Sequence, residues 1–391
     1  MAEQSVGAAA EAEAAPVPPP YYPAVDALRG FAASSVLVYH LVALAGLPMP
    51  RWYPLAWFRV GFFGVDLFFA ISGAVIVLSI HALAGRFGAH WRREFARRRV
   101  ARVVPLYLLT SVVFVLLLAP GFLGRGDLPL QLGSHLLFVH NWFPSTHGSI
   151  NGPSWTLAVE MQFYAVAVLL GLALLRLRLR TLLLAALGTG LGWRLACWWL
   201  LVANPATAQP ELGFVYQTQL PGVAEEFAAG MLAARWMLAR RATGKLPGMR
   251  SALSLAGFAL LAWACALALA HAFAPSFWTG LLPVLAIRLL VAVAAGLSVA
   301  AALAVPPGVL AGPVVRALGD LSYGIYLWHL IVLLSVQRWL APASPFATAA
   351  LVVALTLVVA WLGWRLLERP FVRRARRAAR SVAPGALASG S

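Results

Sequence analysis

The sequence predicts an all-α protein that crosses a membrane about ten times. Of its 391 residues, 61% are hydrophobic and only 11% are charged, and the mean hydropathy is +0.82. An ordinary soluble domain is about 45–50% apolar and about 25% charged. Apolar runs of spanning length recur along the chain, and the basic residues collect in alternate connections between these runs. Together these observations exclude an ordinary soluble enzyme, a disordered chain and a fibrous repeat.

Ten apolar segments are long enough to cross the hydrocarbon core of a bilayer as helices. They are residues 24–46, 60–84, 103–120, 155–175, 181–202, 219–239, 252–273, 279–305, 319–340 and 346–367. Residues 21–371 therefore form the predicted transmembrane domain. Residues 1–20 are small, polar and proline-rich, which predicts a disordered tail. Residues 372–391 are basic and then rich in Ala, Gly and Ser, which predicts a second, flexible tail.

The positions of the basic residues orient the predicted helices. Arginines crowd the connections 85–102, 176–180 and 235–250 and the segment after Arg365, and ten alternating spans put all of these on one side. The opposite connections carry few basic residues, which are Arg51, Arg59 and Arg125. Because cytoplasmic loops carry the excess of Lys and Arg, both termini are expected to be cytoplasmic.

The net charge of +17 and the isoelectric point of about 11.3 are typical of nucleic-acid-binding proteins. Here, however, the basic residues lie between apolar runs, so we expect membrane lipids, and no nucleic acid, as their partners. Cys197 and Cys265 lie in apolar stretches and support neither a disulfide framework nor a thiolate metal site.

Ionisable residues at membrane depth are costly and are candidates for function. A rise of about 1.5 Å per residue places Asp66 and Glu160 roughly 8–9 Å below the outer surface, and His40 in the same outer half. The other members of this predicted layer are Arg194, Glu225, Glu226 and Arg288. Two interpretations are open: one shared cavity for proton transfer or a polar substrate, or buried ion pairs that hold helices together.

Other histidines carry weaker signals. His135, His140 and His147 lie in the long outer connection 121–154, but their spacing matches no compact metal site, so no metal is predicted. That connection is expected to be an interfacial loop. His329 is expected in the inner half of the ninth helix, where it either packs with aromatic neighbours or lies beside a substrate passage.

A cluster of arginines precedes the third predicted helix, and its members are Arg97, Arg98, Arg99 and Arg102. Arg99 and Arg102 are three residues apart and share a helix face, so they are able to clamp a phosphate group. The alternative is a topology signal in contact with lipid headgroups. Arg29, near the start of the first helix, is expected on the same side.

Seven segments resemble acyltransferase family 3, a family of integral membrane acyltransferases. They are VDALRGFAASSVLVYH (25–40), GVDLFFAISGAVI (64–76), RRRVARVVPLY (97–107), LLFVHNW (136–142), NGPSWTLAVEMQFY (151–164), LGDLSYGIYLWH (318–329) and ERPF (368–371). Each segment is weak evidence alone, but their order and spacing together are specific.

The resemblance implies a ten-helix enzyme of the bacterial inner membrane. Such an enzyme moves an acyl group, usually acetyl, from cytoplasmic acyl-CoA to a hydroxyl of a sugar, glycolipid, polysaccharide or small molecule. The family's proposed catalytic histidine matches His40, and its paired arginines match Arg99 and Arg102. Its early arginine matches Arg29, and its Trp-x-x-x-x-Glu segment matches Trp155 and Glu160.

One position departs from the family pattern. Many members carry a second acid directly after the first, where this chain has Met161, so two carboxylates on that helix are not expected. We predict that His40 acts as general base, with Asp66 or Glu160 orienting it, or alternatively that it carries the acyl group. Arg97 and Arg98 join Arg29 and the arginine pair as predicted acyl-CoA ligands.

The substrate-binding candidates are Trp155, Arg194, Glu225, Glu226 and Arg288. A secondary transporter or exporter of a polar or glycolipid substrate is the alternative function, because it also needs many helices and buried charge.

Overall fold

The computed structural model describes residues 21–380 except residues 51 and 53. The predicted tail 1–20 and residues 381–391 lie outside the described residues. The helices are α1 (Pro23–Ala45), α2 (Gly64–Phe87), α3 (Trp91–Leu118), α4 (Leu128–Leu136), α5 (Trp155–Arg176), α6 (Leu179–Trp198), α7 (Gly213–Gln217), α8 (Ala224–Ala242), α9 (Met249–Ala272), α10 (Arg288–Ala304), α11 (Pro313–Ser335), α12 (Pro345–Gly363) and α13 (Arg369–Arg380). These described residues contain no strand.

The all-α membrane fold is confirmed. In the described part of the chain, eight helical stretches are long and apolar enough to cross a membrane. One of them, Leu55–Leu118, contains both α2 and α3, which turn at Gly88, where φ is +48°. α8 coincides with the sixth predicted span but is not among the eight, because acidic residues occupy its first turn and arginines its last. Each of the ten predicted spans overlaps one long helix.

Three segments differ from the prediction. α3 begins at Trp91, so the arginine cluster lies on this helix rather than before it. Residues 369–380 form α13, which packs against α3, where we expected a flexible tail from residue 372. The outer connection forms the short helix α4, and after it the chain turns back among buried side chains such as His140 and Asn141.

The core is organised by close helix pairs: α1 packs on α11, α2 packs on α8, and α10 lies between α8 and α9. Lipid offers no hydrophobic advantage to helix association, so close approach of small residues matters more than in water. At the α2–α8 contact a methyl group on Gly73 would overlap the carbonyl oxygen of Phe227, and one on Gly230 would overlap that of Ala70. The two glycines therefore set the spacing of this pair.

We expect Gly230→Ala to lower the thermal stability of the purified protein, because the new methyl group must force α8 away from α2. Overpacking of this kind costs about 1–3 kcal/mol. Gly257→Ala is the matched control, since Gly257 also lies within a helix but has open space around it. Replacing an exposed helical glycine by alanine is expected to be neutral or to stabilise by up to about 1 kcal/mol. Equal melting temperatures for the two variants would contradict the packing argument.

Candidate active site

A cavity of about 490 Å³ lies on the side opposite the arginine-rich connections, and we call it the outer cavity. The second half of α1 contributes His40, and the first turn of α2 contributes Asp66. The first turn of α5 contributes Trp155, and the start of α10 contributes Arg288. Four of the predicted site residues, from four elements distant in sequence, therefore meet in one space.

His40 is held by its own helix and by α11. Its Nδ1 lies 2.9 Å from the carbonyl oxygen of Val36 and 3.2 Å from Nε2 of His329. His329 is 1% exposed and is level with His40, so the prediction that it lies in the inner half of its helix is wrong. The two histidines are 289 residues apart, and no sequence pattern indicates that they are in contact. The side chain that contacts the His40 ring from α11 is thus a second histidine. It is neither of the carboxylates, Asp66 and Glu160, that were predicted to orient His40.

Asp66 is engaged elsewhere. Its Oδ1 lies 2.7 Å from Nη1 of Arg288, whose Nη2 lies 2.9 Å from Oε1 of Glu226. A π-helical segment, Pro283–Ile287, leads directly into α10 and brings Arg288 between the two carboxylates. Glu226 is fully buried and lines none of the cavities described here. The three side chains thus form an ion-pair network that joins α2, α8 and α10 beside the outer cavity.

Arg194 and Glu225 form a second buried pair. The guanidinium of Arg194 donates two hydrogen bonds to the Glu225 carboxylate, of 2.7 and 3.0 Å, and another of 2.6 Å to the carbonyl oxygen of Gly222. Both side chains are at least 96% buried and line none of the described cavities. This geometry matches the alternative interpretation, a pair that fastens α6 to α8, and not the predicted substrate contact.

Glu160 lines a different space, a middle cavity of about 110 Å³. Its Oε1 accepts hydrogen bonds from Ser72 Oγ at 2.5 Å and from the hydroxyl of Tyr164. Three arginines line the same cavity, namely Arg29, Arg99 and Arg102. Glu160 therefore lies outside the cavity that His40 and Asp66 share.

The depth of Glu160 follows from where α5 begins. Asn151 adopts a left-handed conformation, with φ of 51°, and its Nδ2 donates a 3.0 Å hydrogen bond to the carbonyl oxygen of Leu327 in the middle of α11. The hydroxyl of Tyr326 donates a 3.0 Å hydrogen bond to the carbonyl oxygen of Pro153. Because the chain dips to the middle of α11 before α5 starts, Glu160 lies deeper than a helix starting at the surface would place it.

Buried histidines support this dipping loop. The rings of His135 and His140 stack with centroids 4.2 Å apart, and Nε2 of His140 lies 3.2 Å from the carbonyl oxygen of Ser154. Burial, and secondarily the His135 ring, lower the pKa of His140 to about 3, and burial lowers the pKa of His147 to about 4. Burial lowers the pKa of His135 as well, so the His135–His140 stack is neutral near pH 7 and stays buried without a counter-ion.

A third cavity, of about 400 Å³, opens on the arginine-rich side, and we call it the arginine-side cavity. Arg98, Arg99 and Arg102 of α3 line it, and Arg376 of α13 joins them. Arg97 does not line it, and its guanidinium bonds Glu94, which also holds Arg98. Arg29 of α1 also lines it, and five guanidinium groups facing one space suit a multiply charged anion.

The three cavities follow one another through the protein. The arginine-side and middle cavities share Arg29, Arg99 and Arg102 among their lining residues. The middle and outer cavities share Val65 and Tyr326. The three cavities are therefore adjacent and extend from the arginines to His40, and α1 and α2 contribute lining residues to all of them. No group of three or more His, Cys, Asp or Glu side chains in the described ranges is arranged to hold a metal ion.

Most of the residues that line these cavities lie in a region of the chain that matches a known family. Residues 22–365 match the model of a family described as an acyltransferase domain. The chain belongs to this family. The matched region includes every residue that lines the three cavities except Tyr21, Val372 and Arg376, all of which line the arginine-side cavity.

Curated relatives of this acyltransferase-domain chain are similar over most of its length. A peptidoglycan O-acetyltransferase of Listeria monocytogenes is 27% identical, over 90% of this chain and 56% of its own. A Bacillus subtilis protein, provisionally named a peptidoglycan O-acetyltransferase, is 28% identical, over 90% of this chain and 55% of its own. A Komagataeibacter xylinus protein, provisionally named a membrane-bound transacylase, is 28% identical, over 88% of this chain and 81% of its own. This chain thus spans about half the length of the first two relatives. No solved structure matches it.

We expect Arg194→Leu to destabilise the protein by about 3–5 kcal/mol, because it leaves the Glu225 carboxylate buried and unpaired. The double variant Arg194→Leu/Glu225→Leu removes both charges and is expected to recover most of the lost stability. Thermal unfolding of the wild type, the two single variants Arg194→Leu and Glu225→Leu, and the double variant in lipid nanodiscs completes the double-mutant cycle. A ligand-binding role would instead leave the single variant as stable as the wild type.

Proposed function

We propose that the protein is a multi-pass membrane O-acyltransferase. It takes an acyl group, usually acetyl, from acyl-CoA on the arginine-rich, cytoplasmic side of a bacterial inner membrane and transfers it to a hydroxyl of a glycan in the outer cavity. One observation carries the proposal: the series of adjacent cavities that extends from five arginines to His40. Membership of the acyltransferase-domain family supports it.

The arginine-side cavity suits the phosphorylated end of CoA. CoA is polyanionic, and arginine binds phosphate through paired N–H donors. Nη2 of Arg99 donates a 2.8 Å hydrogen bond to Ser79 Oγ, and its guanidinium lies over the Phe95 and Tyr164 rings, so its position is fixed before a ligand arrives. Arg29 and His40 are about 16 Å apart along α1. The extended pantetheine arm of CoA can span that distance through the narrow middle cavity.

In the proposed reaction the acceptor hydroxyl attacks the thioester carbonyl in the outer cavity. His40 takes the hydroxyl proton as general base and returns it to the departing sulfur, so that one O–C bond forms, one C–S bond breaks and CoA leaves as the thiol. An acyl-histidine relay through the same residue is the second route. The predicted orienting role of Asp66 and Glu160 is not supported by their contacts, because Arg288 engages Asp66, and Ser72 and Tyr164 engage Glu160.

A glycan is the acceptor that the cavity suits best. Trp155, Phe214 and Trp278 contribute aromatic rings to its lining, alongside the polar groups of Thr218 and Asp66. Aromatic rings combined with a few placed polar groups are typical of small-ligand pockets. Since two relatives are named for peptidoglycan O-acetylation, peptidoglycan fragments are the first acceptors to test. Transport, the alternative left open by the sequence, is not favoured, because the relatives are named for acyl transfer.

The direct test measures acetyl-CoA consumption by the purified protein in nanodiscs, with and without glycan fragments. Wild type is expected to release CoA thiol and form an O-acetyl ester only when acceptor is present. His40→Ala is expected to lose at least about 100-fold in rate, the usual contribution of a general base. His271→Ala is the matched control, because His271 also bonds a carbonyl oxygen four residues earlier but lies outside the outer cavity. Equal rates for wild type and His40→Ala would refute the proposal.

We also expect Arg376→Gln to raise the KM for acetyl-CoA by about tenfold, a loss of about 1.4 kcal/mol and typical of one charged hydrogen bond. The KM for acetyl-pantetheine, which lacks the nucleotide, is expected to stay unchanged. Arg377→Gln, on the same helix but outside the cavity lining, is the control for general contacts between α13 and anionic lipid. A parallel rise in KM for both variants would assign these arginines to the lipid surface.

A further inference from the structure

His329 lies behind His40 and not in the cavity. It is 1% exposed, and it is absent from the outer-cavity lining, to which His40 of α1 and Tyr326 of α11 contribute. Its Nε2 lies 3.2 Å from Nδ1 of His40, and the ring centroids are 4.9 Å apart. The second histidine thus touches the first but has no access to a substrate in that cavity.

The backbone of α11 fixes the tautomer of His329. Its Nδ1 lies 2.7 Å from the carbonyl oxygen of Tyr326 and 3.2 Å from that of Ile325. Carbonyl oxygens only accept hydrogen bonds, so Nδ1 carries the proton. A neutral imidazole has one protonated nitrogen, so Nε2 of His329 presents a lone pair toward His40.

The tautomer of His40 follows from these neighbours. Its Nδ1 faces two acceptors, the carbonyl oxygen of Val36 at 2.9 Å and the lone pair of His329 Nε2. Nδ1 must therefore carry the proton, which leaves Nε2 of His40 unprotonated. That nitrogen is the one able to accept a proton from a hydroxyl in the outer cavity.

We propose that His329 is a positioning residue that holds His40 in the Nδ1–H tautomer and thereby prepares Nε2 as the base. This inference rests on the proposed function, in which His40 is the general base. When His40 takes the hydroxyl proton, its Nδ1–H keeps both acceptors, and His329 Nε2 stabilises the resulting imidazolium until the proton passes to the CoA sulfur. His329 thus has the role that a carboxylate has in the Ser-His-Asp triad.

A neutral partner suits this location. A carboxylate at membrane depth carries a large desolvation cost unless a cation pairs with it, and the nearby Asp66 is already paired with Arg288. An imidazole supplies an acceptor lone pair without adding a charge. The arrangement orients His40 without creating another buried ion.

The test compares His329→Leu, which removes the acceptor, with His329→Gln, whose amide oxygen is able to accept from His40. We expect His329→Leu to lower kcat about 100-fold and to leave the KM for acetyl-CoA unchanged. The kcat of His329→Gln is expected to be at least tenfold higher than that of His329→Leu. His271→Leu is the control for removing a histidine from a helix end. A kcat for His329→Leu within twofold of wild type, or equal losses in the leucine and glutamine variants, would overturn the inference.

A second measurement does not depend on turnover. Nitrogen-15 NMR of histidine-labelled protein in lipid distinguishes Nδ1–H from Nε2–H imidazoles, and subtraction of the His40→Gln spectrum assigns the His40 signal. We expect Nδ1–H in wild type and a mixture of tautomers in His329→Leu. If His40 is Nε2–H in an active wild-type enzyme, the inference fails while the proposed function stands. If the protein turns over no acyl-CoA but His40 is Nδ1–H, the proposed function fails and only the geometry stands.

Discussion

The close contact between α1 and α11 is the constraint on which the site depends. A methyl group on Gly30 would lie 2.8 Å from Cβ of Leu318, and one on Gly319 would overlap the side chain of Asp26. These two glycines let the helix backbones approach, which is the way helices associate in lipid when burial of apolar surface gives no advantage. The same contact brings His40 to His329. α11 also exchanges hydrogen bonds with the loop before α5, since it accepts one from Asn151 and donates one to Pro153, so both the outer and the middle cavity depend on this helix pair.

Buried charge is the second constraint, and it divides the ionisable residues into two groups. Arg194 and Arg288 are satisfied by carboxylates on neighbouring helices, so they join α2, α6, α8 and α10 rather than wait for a ligand. The arginines of the arginine-side cavity have fewer acidic partners, since Glu94 serves only Arg97 and Arg98. Arg194 and Arg288 thus join helices, whereas Arg99, Arg102 and Arg376 face the cavity without an ion-pair partner among the described residues and are available to bind an anion. The difference is invisible in composition, because both groups are arginine.

The sequence predicted the helices well and the pairing of their side chains poorly. Spanning helices follow from hydropathy and length, which depend only on neighbours in the chain, and all ten predicted spans overlap helices. Depth also came from counting residues, and this fails for Glu160 because the loop before α5 dips into the bundle to reach Leu327. His329 was missed as a partner of His40 because helix rotation, not sequence spacing, decides which faces meet. The only available signal was that two histidines occupy long apolar segments, and this does not predict contact.

The order of the cavities reconciles two opposite electrostatic needs. A polyanionic donor requires a high density of positive charge, whereas a base that accepts a proton at membrane depth works best beside neutral groups, since nearby cations disfavour its protonated form. The middle cavity separates the two environments. It measures only about 110 Å³, and the Phe68 and Tyr326 rings meet edge to face near its outer end. In the proposed reaction only the thin, uncharged pantetheine arm has to pass this constriction, so the phosphates stay with the arginines and the thioester reaches the neutral histidine pair.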